Sequence, residues 1–301
     1  MYLEHFSFKE LPFSLTPDTG FFCQLKGHQE ALTVLQFSLK SGEGFIKIIG
    51  EVGAGKTLLC RKLLDSLTDD VVTAYIPNPD LQPAELRKAL AHELGIEVDQ
   101  LADPHELLAL INHRLLELHR AGKRIVFLID EAQALPLESL ETLRLFTNLE
   151  TEKNKLLQVV LFGQPELDEH LNLPRLRQLK QRITFSYYLP LMTREDLDTY
   201  LFHRLAIVGG TFSALFTKKS RDLLYQASQG IPRIVNILCH KALLTAYGKG
   251  ETTITAGMMN LAIRDTDVAV KSKKLWRLLF WGAGLIVVVL FAFLLYAGLA
   301  E

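Results

Sequence analysis

Apolar residues follow two rhythms along this chain. Phe45–Ile49, Val71–Ile76, Ile125–Ile129 and Leu156–Phe162 are short, mostly apolar runs, interrupted only by Lys47, Thr73 and Gln158, the pattern of strands buried on both faces. Between them, apolar positions recur at helical spacing over His28–Leu39, Pro83–Gly95 and Leu137–Leu149. Pro83 opens its helix and Gly95 closes it. A further helix starts at Asp103 as N-cap, with Pro104 next and Glu106 at capping-box spacing, and Gly122 ends it. Another strand, at a sheet edge, is expected after Arg182. Strands alternating with helices predict a parallel sheet joined by right-handed crossovers.

After Leu191 the strand signal ends. Thr193 and Asp196 cap a helix that runs to Val208, where Gly209-Gly210 breaks it. Helical patterns follow at Lys218–Ser228, Ile231–Tyr247 and Ala256–Asp265, so a helical lobe is expected behind the α/β lobe. The run from Leu278 to Ala300 carries no charge. At about 1.5 Å per residue it would span roughly 35 Å, enough for a bilayer core of about 30 Å. Trp276, Trp281 and Tyr296 fall near its edges, where aromatic belts form.

Composition changes this picture in two ways. The formal net charge of −1 gives no global attraction to nucleic acid, so DNA is an unlikely partner on charge alone. The 3 cysteines have no metal spacing, and with the 9 histidines they read as ordinary structural residues in a reducing compartment. The N-terminus, MYLEHFSFKELPF, lacks the features of a signal peptide.

The candidate chemistry begins with GEVGAGKT, between the first strand and a helical pattern. Gly50, Gly55, Lys56 and Thr57 have the spacing of a phosphate-binding loop. Backbone N–H groups of Gly50, Glu51, Val52, Gly53, Ala54, Gly55, Lys56, Thr57 and Leu58 would wrap the phosphates at a helix N-terminus. Lys56 would reach the β- and γ-phosphates, and the Thr57 hydroxyl would ligate Mg²⁺. The second strand such a site needs ends in Asp130 and Glu131. Asp130 would hold Mg²⁺, and Glu131 would orient or deprotonate the attacking water. Neither an N-K-x-D element nor an LSGGQ-like signature occurs, which favours ATP over GTP and excludes the transporter type.

Two lobes with these motifs match the AAA+ plan. Gln164, at the end of the last core strand, is expected to sense the γ-phosphate. Arg233, just inside a helix start after Pro232, is a cation that opposes the helix dipole unless phosphate lies near. Arg175, Arg177 and Arg182 precede the edge strand. One of them, with Arg182 favoured, would enter a neighbouring subunit's site.

PFSLTPD, GEVGAGKT, LIDEAQALP, LFGQPEL, LKQRI and GIPRIVNILCHKALLTAY together resemble the ExeA/GspA-type AAA+ ATPases of bacterial secretion and pilus assembly, over about residues 1–265. Within that family the resemblance points to the branch linked to mannose-sensitive haemagglutinin (MSHA) type IV pili. It implies a P-loop NTPase with a parallel sheet flanked by helices, a C-terminal helical lid and a single transmembrane helix. The expected segments are an N-terminal part at 1–40, the nucleotide-binding core at 41–190, the lid at 191–267, a basic linker at 268–277 and the membrane helix at 278–300. ATP and Mg²⁺ are the implied cofactors. A homo-oligomer, a ring formed with ATP, and inner-membrane pilus or type II secretion proteins are the implied partners. Lys271, Lys273, Lys274 and Arg277 precede the apolar run and only Glu301 follows it. That places the ATPase on the cytoplasmic side and the basic cluster against lipid headgroups. Two rival readings are a DNA-binding ATPase of the transposition target-selection type and a nucleotide-dependent scaffold with little turnover.

Overall fold

The computed structural model describes residues 2–97, 103–146, 149, 155–267 and 269. The chain opens with the helical turn α1 (Leu3–Phe6), followed by α2 (Lys26–Lys40), β1 (Phe45–Ile49), α3 (Lys56–Ser66), β2 (Val71–Ile76), α4 (Pro83–Glu93) and α5 (Pro104–Arg120). Next come β3 (Arg124–Ile129), α6 (Leu137–Phe146), β4 (Gln158–Gly163), α7 (Pro165–Leu171), α8 (Arg177–Lys180) and β5 (Phe185–Tyr188). The remainder is α9 (Arg194–Ile207), α10 (Phe212–Leu215), α11 (Lys218–Ser228), α12 (Pro232–Gly248) and α13 (Ala256–Arg264). These fall into two compact units, one of residues 16–191 and one that joins residues 1–15 to the chain from Met192 onward.

The α/β unit holds a five-stranded sheet in the order β2-β3-β4-β1-β5, with every pair parallel. Alternation along each strand explains the apolar runs. Phe45, Ile49, Phe127, Val159 and Leu161 face one core, which α4, α5 and α6 cover. Ile46, Ile48, Val126, Leu128, Val160 and Phe162 face a second core against α2 and α3. Both faces are therefore dry, and no polar alternation survives to mark them. Lys47 is the one charged side chain in β1, and it pairs with Asp168 of α7. β4 begins at Gln158, two residues after the expected start, because the buried Gln158 side chain donates to the Leu39 and Glu43 carbonyls and fixes that end.

Strand order places the chemistry. β4 lies between β1 and β3, with Ile49 beside Gly163 and Ile129 beside Leu161. The carboxyl ends of these three strands thus carry residues 50–57, Gln164 and the pair Asp130–Glu131 on one edge of the sheet. In open α/β sheets, ligands bind outside the carboxyl ends, where strand order reverses.

The helical unit has its own core, including Leu197, Leu201, Leu224, Val235, Leu238 and Met259. Thr193 and Asp196 form the expected capping box at the start of α9. The expected N-terminal segment 1–40 is divided: residues 1–15 belong to this unit, and the rest to the α/β unit. The cause is Arg204. Its buried guanidinium donates to the Pro12 and Ser14 carbonyls, and Asn236 donates to Ser14 as well. No helix among the described residues is long and apolar enough to cross a membrane. The expected membrane helix 278–300 and the linker from 270 onward lie outside the described residues.

Candidate nucleotide site

Residues 50–57 turn sharply because two glycines take left-handed backbone angles, Gly53 at φ 79° and Gly55 at φ 101°. Gly55 has no room for a side chain: a Cβ there would stand 2.9 Å from Nε2 of His28. His28 is buried on α2, its ring packed edge-on against Phe22, with Nε2 at 3.2 Å from the Ala54 carbonyl oxygen. A carbonyl only accepts, so Nε2 carries the proton. Nothing in the sequence distinguishes His28 from an ordinary histidine, yet it braces the loop through a contact between α2 and Ala54, 26 positions later.

α3 begins at Lys56 and no side chain caps its N-terminus. Its first N–H groups are the donors that an anion would take. Lys56 is only 4% exposed, and its ammonium donates to the Gly50 and Glu51 carbonyls at 2.9 and 3.1 Å. Burial pushes its pKa below the ordinary lysine value, while the carboxylates of Glu131, Asp130, Glu51 and Glu166 partly restore it. The charge is thus held close to the loop's own carbonyls, at a place where a phosphate would outbid them. Val52 is exposed at the tip, Ala54 is buried, and Leu58 is half-buried in the first turn of α3. Tyr188 of β5 donates to the Glu51 carboxylate at 3.0 Å.

Asp130 is 2% exposed. Burial raises its pKa above the usual carboxylate value, opposed by hydrogen bonds from the Thr57 hydroxyl and from the Glu131 N–H, the latter at 2.9 Å. The two expected Mg²⁺ ligands, Thr57 and Asp130, are therefore close to one another. Among the described residues no group of three or more His, Cys, Asp or Glu could hold a metal alone. One hydroxyl and one buried carboxylate suit Mg²⁺, which keeps waters and takes phosphate oxygens for the rest of its shell.

Glu131 adopts φ 50°, a left-handed angle that is rare outside glycine. Two amides hold its carboxylate. Gln164 Nε2 donates to Oε2 at 2.8 Å, and Gln133 Nε2 donates to the same oxygen at 2.6 Å. Gln133 Oε1 in turn accepts from the Gln164 backbone N–H at 3.0 Å. The structure thus brings Gln164 to Glu131. Gln133 is a residue that sequence reasoning misses; the only signal is its place as the amide in the DEAQ turn directly after the acidic strand.

The arginines behave differently from one another. Arg175 is paired with Glu138 at 2.8 Å and Glu141 at 3.2 Å, within its own unit. Arg177 is exposed on α8, and Arg182 is half-buried just before β5. Arg233 is exposed in the first turn of α12, in the helical unit.

A family model for the AAA domain matches residues 39–171. General secretion pathway protein A of Aeromonas hydrophila is 41% identical over 298 residues, which are 99% of this chain and 53% of that protein. The chain belongs to the ExeA/GspA-type AAA family. This AAA protein spans about half the length of that relative. Solved structures agree on the fold. The ORC2 protein of Aeropyrum pernix, solved as ADPNP–ADP complexes, matches with a TM-score of 0.62 and 18% identity over 86% of this chain and 72% of that one. Cdc6p of Pyrobaculum aerophilum matches with a TM-score of 0.62 and 18% identity, covering 81% and 67%. Both support the P-loop AAA architecture of this family member and nothing finer.

Proposed function

We propose that this protein binds ATP with Mg²⁺ at the carboxyl edge of its sheet and hydrolyses it to drive a partner in an envelope machine. The supporting observation is the placement of Glu131. Its carboxylate is held by two amides beside the Thr57–Asp130 pair and the buried Lys56. On this reading Lys56 leaves the Gly50 and Glu51 carbonyls for the β- and γ-phosphates. Backbone N–H groups from residues 50–58 cradle the phosphates. Glu131 takes the proton of the attacking water, and Gln164 orients that water toward the γ-phosphate. Bound Mg²⁺, held by Thr57 and Asp130, supplies charge neutralisation on the phosphate oxygens. Arg182 is proposed to act on a neighbouring subunit's nucleotide, and Arg233 to read the phosphate of its own.

The machine is proposed to be a type II secretion or MSHA-like type IV pilus apparatus. The 41% identity to general secretion pathway protein A supports the secretion part. The basic residues before the apolar run 278–300 support anchoring in the inner membrane with the ATPase in the cytoplasm. Phosphate release by purified protein tests the chemistry. Turnover should need Mg²⁺ and should vanish in Lys56→Ala. Equal release by wild type and Lys56→Ala would remove this site from the reaction.

A further inference from the structure

We propose that Gln133 is a positioning residue that holds the Glu131 carboxylate in place while Gln164 responds to the γ-phosphate. The proposal rests on the reading of Glu131 as the group that activates water.

Gln133 lies in the short 3₁₀ turn Ala132–Ala134, which follows the left-handed Glu131. Its amide makes two contacts of opposite kind. Nε2 donates to Glu131 Oε2 at 2.6 Å, and Oε1 accepts from the Gln164 N–H at 3.0 Å. Only the oxygen can accept from an N–H, and only the NH₂ can donate to a carboxylate, so the amide has one orientation. Gln164 Nε2 closes the ring by donating to the same Oε2 at 2.8 Å. Three side chains thus join the end of β3 to the end of β4, across residues 31 and 33 positions apart.

The two amides are not equivalent. Gln164 anchors Glu131 with its side chain, and that side chain is also the one expected to meet the γ-phosphate. When it turns to phosphate, Glu131 loses one donor. Gln133 remains, because its second contact is to the Gln164 backbone, which need not move when the side chain does. Gln133 therefore keeps the base at a fixed height above the strand ends. It also sustains the strained backbone of Glu131, a conformation that persists only where neighbours over-determine it.

The test uses full-length protein with three changes. Gln133→Met keeps length but removes both polar contacts. Gln133→Glu keeps the acceptor for the Gln164 N–H and loses the donor to Glu131. Gln133→Asn keeps the amide but is one methylene short. Each should lower kcat by at least about 10-fold, but by less than the about 10²–10⁴-fold that an acid–base group itself contributes. Affinity for a fluorescent ATP analogue should stay within about 3-fold, because the phosphate cradle is untouched. In a Glu131→Gln background, Gln133→Met should cause no further loss of turnover. Wild-type kcat in Gln133→Met overturns the proposal. So does a fall in ATP affinity that matches the fall in kcat, and so does an independent further loss in the Glu131→Gln background. If Gln133→Met fails to fold, Gln133→Glu and Gln133→Asn decide by the same criteria. Absence of turnover in wild type would defeat the hydrolysis reading and this proposal together, whereas normal wild-type turnover with unaffected variants defeats this proposal alone.

Discussion

Gly55→Ala should damage the phosphate loop in part through a histidine 27 positions earlier, and the structure sets the scale. Gly55 has φ 101°, a conformation that costs a residue with a Cβ about 1–3 kcal/mol. The new Cβ would also stand 2.9 Å from His28 Nε2. Relieving that overlap means turning the imidazole off the Ala54 carbonyl and away from Phe22, an overpacking cost of about 1–3 kcal/mol. The two terms together come to roughly 2–6 kcal/mol. At about 2–4 °C per kcal/mol for a unit of this size, the melting temperature should fall by several degrees at least. Urea unfolding followed by circular dichroism measures the loss, with ATP-analogue binding as a second readout. The double variant His28→Ala/Gly55→Ala separates the terms. It keeps the backbone strain but removes the overlap, so the two changes should combine to about 1–3 kcal/mol less than their sum. Strict additivity would show that the His28 ring does not constrain the loop, and the bracing account would be wrong.

Asp130→Asn should change the pH dependence of stability in the nucleotide-free protein. Burial raises the folded pKa of Asp130, so its favourable contribution is complete below the unfolded value of 3.8 and is lost as pH rises through the folded value; relative to wild type, the variant should gain stability from pH 4 to pH 7, and a constant difference across that range would refute this. Arg182→Ala should bind ATP normally, hydrolyse it poorly, and recover activity when mixed with Lys56→Ala; no recovery in a demonstrably mixed oligomer would confine Arg182 to its own subunit. The full chain should resist carbonate extraction from membranes, and protease outside sealed spheroplasts should spare residues 16–191; their degradation would reverse the proposed topology.

The core strands were legible because burial on both faces writes itself as a nearly continuous apolar run, as in Ile125–Ile129 of β3 and, broken only by Lys47, in FIKII of β1. Long helices were legible from their caps: Pro83 opens α4, the Asp103 carboxylate accepts from the His105 N–H at α5, and Thr193 starts α9. α7 and α8 were not, since seven and four residues give too few turns for a period to emerge. Strand order was not legible either. Which strand pairs with β1 depends on contacts far apart in sequence, and no local pattern in QVVLFG says that it lies between β1 and β3. The site divides the same way. Lys56, Thr57, Asp130 and Glu131 announce themselves through fixed spacing within one turn or strand end. His28, Gln133 and the tether of residues 1–15 by Arg204 depend on partners in other elements, so their side chains look ordinary until the fold is known.

The most direct measurement is the chemical state of the nucleotide that the protein carries. Wild type and Glu131→Gln are each incubated with radiolabelled ATP and Mg²⁺, passed rapidly through a sizing column, and the bound nucleotide is resolved. Wild type should elute with ADP, having released phosphate. Glu131→Gln should elute with intact ATP at similar occupancy, because the cradle remains and the base is gone. Conversion of ATP to ADP in Glu131→Gln at the wild-type rate would contradict the account at its centre.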